Sequence, residues 1–336
     1  MAAPRKRLPE FDLLRGVAIL YIVGIRHMDG YAGDIYHCKL DDILAYSLLG
    51  LFVFISGYLL QRGMPIIRSG GQLRTFLLRR FLRIYPLYLL ALMAFRVCGF
   101  ITPAELLQQI FLLNIFLNSS VITLWFVSML CVFYLLYPLL VRFRSPAATL
   151  LTTAGLCAIG LGANIAFDLV DFRALIFLPL FTLGILASRH GLLFAAFRST
   201  PFCIASSLLC LVASVFYFMT PRASSLFMLL FMTTSLPAWF LTARLLAPRI
   251  PVRVYATVAY ASYAMYLFHH PLFTTMTHLY QPPGTIATLL YLTLLGLPLL
   301  VAMAYGVQKL YDGLITRVTA SPRHGAADCP LTTRPE

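Results

Sequence analysis

Apolar runs close to the ~20 residues that a helix needs to cross a bilayer recur along this chain. They fall at 11–28, 41–61, 81–100, 121–141, 147–167, 174–188, 202–219, 224–247, 256–279 and 286–311. Ten such runs in 336 residues leave only short polar links between them. Charged residues make up 11% of the chain, against about 25% in an ordinary soluble domain. The expected fold is therefore all-α: one polytopic bundle of about ten transmembrane helices at 11–312. A basic N-terminal segment (1–10) precedes it, and a polar tail (313–336) with the composition of a disordered segment follows. The stretch AELLQQIFLLNIFL at 104–117 is apolar but shorter, and it carries Glu105, Gln108, Gln109 and Asn114. It reads as an interfacial or re-entrant helix.

The distribution of lysine and arginine orients the bundle. Grouping the N-terminus with every second link and the tail places twenty of the 26 cationic residues on one side. Apart from Arg15 and Arg26, which lie inside the first run, the other side has only Lys39, Arg96, Arg173 and Arg222. Both termini are thus expected in the cytoplasm, and the first run is expected to be a retained helix, since it contains Arg15 and lacks a small-residue cleavage pattern. The net charge of +14 has the same origin and does not indicate nucleic-acid binding. The seven cysteines are scattered and form no CxxC, so no zinc motif or disulfide framework is expected, and no metal.

The first run, FDLLRGVAILYIVGIRHMDG, carries the most unusual chemistry. Ionisable groups at bilayer depth are costly and mark functional sites, and histidine is suited to moving protons near neutrality. The plainer account, an interfacial Arg15 and a snorkelling His27, weighs about as much on spacing alone. The two are twelve residues apart, ~18 Å along the axis and ~120° around it on an ideal helix. Arg26, by contrast, would share the face of Arg15. Bringing Arg15 and His27 to one cavity requires a bulge, and Gly24 is the natural place for it.

Two further clusters stand out. In QLRTFLLRRFLRIYPLYLL, Arg80 and Arg83 are neighbours on one helix face, one turn before Pro86. Paired guanidiniums suit phosphate, although arginines at this position also serve the positive-inside rule. In TVAYASYAMYLFHHPLF, Ser262, Tyr266 and His269 form one stripe at i, i+4 and i+7, followed by His270 and Pro271. Helix–helix hydrogen bonding is as good an account of that stripe as ligand contact. Ser56 and Gly57 in the second run permit close helix approach.

Taken in order, FDLLRGVAILYIVGIRH, FVFISGYLL, RRFLRIYPLY, LWFVSMLCVFYLLYPLL and SYAMYLFHHPLF resemble the membrane-bound acyltransferase 3 family over residues 11–272. The resemblance implies transfer of an acyl group from a cytoplasmic donor, usually acetyl-CoA, to a hydroxyl of a sugar or other envelope molecule. The first-helix arginine and essential histidine of the family correspond to Arg15 and His27, and its third-helix basic motif to Arg80 and Arg83. Its late-helix signature falls on Ser262, Tyr263, His269 and Pro271. Two departures are visible. Eleven residues separate Arg15 from His27 where ten are common, and Leu130 stands where many members have glutamate.

The expected activity is O-acyl transfer in the bacterial inner membrane, with lipids, acyl-CoA and a carbohydrate or other hydroxyl-bearing acceptor as partners. His27 and Arg15 would act in catalysis, and Arg80, Arg83, Ser262, Tyr263 and His269 in donor binding. The rival classes are a transporter or flippase using the same His- and Arg-lined cavity, and a catalytically silent assembly subunit.

Overall fold

In the computed structural model, residues 8–31, 33, 38–117, 123–220 and 224–320 are described, and no strand occurs among them. Most of the N-terminal segment, Asp34 and the tail beyond 320 lie outside the described residues. Each apolar run coincides with helix: α1 (Pro9–Tyr21), α2 (Lys39–Gly63), α3 (Gly70–Val97), then, after a short α4 (Pro103–Ile110), α5 (Trp125–Leu140), α6 (Pro146–Phe167) and α7 (Phe172–Arg189). A short α8 (Gly191–Ala196) leads to α9 (Thr200–Met219), α10 (Ser224–Leu246) and α11 (Val252–Leu279). The last rod is α12 (Thr285–Tyr291) joined through a π turn to α13 (Leu297–Ala320). Among the described residues six helices are long and apolar enough to cross a membrane by length and composition; α1 has only 13 residues before its π turn, α3 carries a run of arginines, and α11 carries histidines and tyrosines.

Local chemistry sets the helix starts. Ser69 and Ser145 accept from the backbone N–H groups of Gln72 and Ala148, and Pro146 opens α6. Thr102 and Glu105 form a reciprocal capping box at α4. The bonds from Thr102 hold the Glu105 carboxyl below its ordinary pKa. The 104–117 stretch is a single short helix followed by a 3-10 turn at Leu113–Ile115, which agrees with its reading as less than a full span.

The rods sort by burial. α11 is central, packed against α1, α13 and α3, with Ala261, Ala264, Met265 and Leu267 fully enclosed. α6 and α9 are peripheral and expose Ile159, Ile165, Leu208 and Leu211, an apolar outer surface suited to lipid. Prolines inside helices leave a carbonyl unpaired four residues earlier, which in lipid has to find another donor. Pro86 frees the carbonyl of Leu82, which accepts from the Tyr311 hydroxyl of α13. Pro179 frees that of Leu175, which accepts from Cys157 at 3.7 Å. The kinks thus tie neighbouring rods together.

The closest crossing joins α2 and α7. A Cβ on Gly57 would run into the carbonyl oxygen of Phe181, and one on Gly184 into that of Phe54. Gly184→Val is therefore expected to destabilise the bundle by ~1–3 kcal/mol through overpacking, read as a lower melting temperature in detergent. Gly155→Ala in α6, where a new methyl meets nothing within 4 Å, is the control and should melt no earlier than the parent.

Candidate active site

α1 does not run on regularly to its histidine. After Tyr21 the backbone widens into a π turn over Ile22–Arg26, closed by the His27 N–H on the Ile22 carbonyl at 2.9 Å. The turn is centred on Gly24, whose missing side chain leaves room for Leu297. It rotates His27 toward α11 and sends Arg26 the other way. Arg26 pairs with Asp41 and, at 2.8 Å, with Asp42 in the first turn of α2. Tyr21 donates to Asp41 at 2.7 Å. Arg26 is thus a bracket between α1 and α2.

Below the π turn lies a cavity of about 850 Å³. Its mouth carries Arg15, Arg79, Arg80 and Arg83 beside Asp12 and Asp312. The start of α1 and the end of α13 are at this same end of the bundle. Arg15 donates to Ser262 Oγ at 3.0 Å, and Ser262 donates on to the Ala259 carbonyl at 2.8 Å. Ser262 therefore aims the guanidinium. Tyr263 lines the cavity while its hydroxyl is tied to the Ile84 carbonyl at 2.8 Å. The Nε of Arg80 is buried with no partner among the described residues, a donor suited to an anionic ligand. Asp312 is held by Tyr260 at 2.6 Å and Gln308 at 2.9 Å.

Away from the mouth the lining turns apolar. Leu49, Phe52 and Ile55 of α2 face Phe126, Val127 and Leu130 of α5, so Leu130 is part of a greasy wall. The inner end is bounded by Ile22 and Tyr266. Tyr266 donates to the Thr123 carbonyl, and its ring centroid lies 6.4 Å from that of His27.

His27 and His269 do not line the cavity; they sit together just beyond Tyr266. His27 Nδ1 and His269 Nε2 are 2.8 Å apart, and His269 Nδ1 is 2.8 Å from the Tyr266 carbonyl. A carbonyl only accepts, so His269 carries its proton on Nδ1. With one proton per ring, His269 Nε2 must accept, and His27 Nδ1–H is the donor. The Nε2 of His27 is then an open lone pair, with no hydrogen bond among the described residues. His269, read from sequence as a donor-binding residue, occupies the position of an orienting group behind His27.

Of the residues singled out by sequence, Arg15, Arg80, Arg83, Ser262 and Tyr263 share the cavity, and His27 and His269 form a separate pair at its inner end. Sequence reasoning passed over Tyr260, Gln308 and Asp312 at the mouth. The signal was present: Gln308, near the end of the last apolar run, and Asp312, just past it, are four apart and so neighbours on one helix face.

The family pattern described as "Acyltransferase domain" matches residues 8–307. A curated relative, "Protein 2 in picA locus" of Rhizobium radiobacter, is 33% identical over 117 residues, 32% of this chain and 58% of that protein. The match thus spans less than two thirds of the relative's length. No solved structure matches. Since the family pattern runs from the first helix through most of the last, the chain belongs to the acyltransferase 3 family of multi-pass membrane proteins.

Proposed function

We propose that this protein moves an acyl group, acetyl by preference, from acyl-CoA to a hydroxyl of a sugar, polysaccharide or other envelope or secondary-metabolite acceptor. It does so within the bacterial inner membrane, with both termini cytoplasmic. The observation that carries this reading is the course of the cavity: a basic mouth, an apolar neck, and a histidine with an open Nε2 beyond its inner end.

Arg80 and Arg83 hold the phosphates of the donor at the mouth, where charge-assisted bonds are strongest. The pantetheine arm follows the neck and presents the thioester near Tyr266. His27 Nε2 takes the proton of the acceptor hydroxyl as its oxygen attacks the thioester carbon. The C–S bond breaks, and the same proton passes from His27 to the departing sulfur to give free CoA and the ester. His269 holds His27 in the required tautomer. Arg15, aimed by Ser262, positions the donor or steadies the charge on the thioester oxygen.

The test is purified protein in nanodiscs with acetyl-CoA labelled in the acetyl group. Release of CoA above a protein-free control, with label passing to an added sugar acceptor or to water, supports acyl transfer. A transporter lined by the same residues would leave the thioester intact. For the topology, a reporter fused after Thr316 should be cytoplasmic and one inserted near Asp34 external; the same side for both would overturn the assignment.

A further inference from the structure

The histidine pair has a third member that the proposed chemistry does not use. His270 follows His269 on α11, and its ring centroid is 4.3 Å from that of His269 and 5.4 Å from that of His27. Ring nitrogens of all three lie within 4.8 Å of one another. The Nδ1 of His270 is 2.8 Å from the Tyr31 hydroxyl. That hydroxyl is also within bonding distance of the His270 carbonyl at 3.1 Å and of Thr274 at 2.9 Å. With its hydrogen directed to one of those acceptors, Tyr31 receives the Nδ1–H of His270. The Nε2 of His270 is left as a lone pair, buried and without a partner among the described residues. His270 is 9% exposed and His269 fully buried. A lone pair kept from water and given no donor is costly, and it requires an explanation.

His269 and His270 share one pattern: Nδ1–H is anchored to an oxygen, and Nε2 is presented unprotonated. Metal-binding histidines are prepared in this way, with the outer nitrogen hydrogen-bonded so that tautomer and ring direction are fixed. Around the trio, Phe95, Phe100 and Phe273 form an apolar shell, which favours direct ligation over hydration.

We infer that His27, His269 and His270 form a binding site for a divalent transition cation of the zinc class, and that its occupancy arrests transfer. Three imidazoles with a fourth position open suit zinc. At Zn–N distances near 2.0–2.1 Å, tetrahedral geometry separates ligand nitrogens by ~3.3 Å, so the 2.8 Å contact between His27 and His269 opens by a few tenths of an ångström. The arrest follows from proton bookkeeping on one ring. When the cation takes the Nδ1 lone pair of His27, the single ring proton moves to Nε2, the atom that has to be empty to act as base. Ligation through Nε2 would occupy the same atom directly. The arrest rests on the acyl-transfer reading; the site itself does not.

The experiment uses full-length protein in nanodiscs, stripped with chelator and dialysed against zinc, with cobalt(II) as a coloured probe. Wild type should retain one zinc per chain and give the visible absorption of tetrahedral cobalt. Zinc should slow transfer at least tenfold, with recovery on adding chelator. His270→Phe keeps an aromatic ring in the apolar shell and removes one ligand. It should fold with an unchanged melting temperature, bind zinc at least tenfold more weakly, and keep in zinc the rate that the parent shows without zinc. Failure of wild type to retain zinc, or equal zinc affinity in His270→Phe, overturns the site. Zinc bound at the trio without slowing transfer overturns the arrest. Because binding is read without turnover, a chain that binds zinc as expected yet never cleaves acetyl-CoA would sink the acyl-transfer reading and leave the site standing.

Discussion

Replacing His27 by alanine is expected to lower the rate of acyl transfer ~100- to 10,000-fold, the usual contribution of a positioned general base. Donor affinity should hardly change, because proton removal belongs to the chemical step and His27 lies outside the cavity in which the donor is held. His27→Gln should be as inactive as alanine: it keeps a polar side chain but offers no base near neutral pH. Arg26→Ala supplies the contrast. It leaves Asp41, whose side chain is 7% exposed, with the Tyr21 hydroxyl but without its cation, and should cost about 1–3 kcal/mol of stability. Turnover per folded molecule should stay within a few-fold of the parent. A melting curve and an initial-rate measurement on each variant separate the two effects. An active His27→Ala beside an inactive Arg26→Ala would reverse the roles assigned to the two faces of the π turn.

Arg83→Ala is expected to weaken acyl-CoA binding ten- to a hundredfold, as for the loss of one or two charge-assisted bonds of ~1.5–3 kcal/mol. Arg80→Ala should behave similarly, since its buried Nε has no partner among the described residues. Charge at the mouth also acts collectively. Arg15, Arg79, Arg80 and Arg83 face only Asp12 and Asp312 among the acidic residues of the lining, so both losses should shrink as salt rises. Titration calorimetry with acetyl-CoA and with a dephosphorylated donor decides the point. A smaller loss for the dephosphorylated donor identifies the arginines as phosphate ligands; equal losses would make them membrane anchors only.

Much of the site could be read from the sequence because its constraints are local. The distance from Arg15 to His27 on an ideal helix demanded a bulge, and the π turn sits at Gly24. Gly57 announced a close crossing, and its partner is the backbone of α7. The run of arginines before Pro86 pointed to one surface, and Arg79, Arg80 and Arg83 line one mouth. What escaped was pairing between distant segments. His27 and His269 are 242 positions apart, and nothing in either run names the other. Asp41 and Asp42 open α2, and only the rotation of Arg26 out of the α1 face makes them its partners. Tyr266, which lines the cavity beside the histidines, was visible as part of a stripe, but periodicity does not say which member of a stripe bounds a cavity.

The π turn also bears on how such a chain tolerates a change in length. An i to i+5 closure spends one residue more than an α turn, so the twelve steps from Arg15 to His27 advance the helix as eleven regular steps would. Eleven steps return to within ~20° of the starting face. The extra residue is thus taken up inside a single turn, and neither the arginine nor the histidine is displaced from its neighbours on α11. A chain one residue shorter here, with an unbroken α-helix, would deliver the same two side chains to the same two places. The loss of one residue together with the π turn is structurally silent here, so motif spacing can differ by one where the geometry does not.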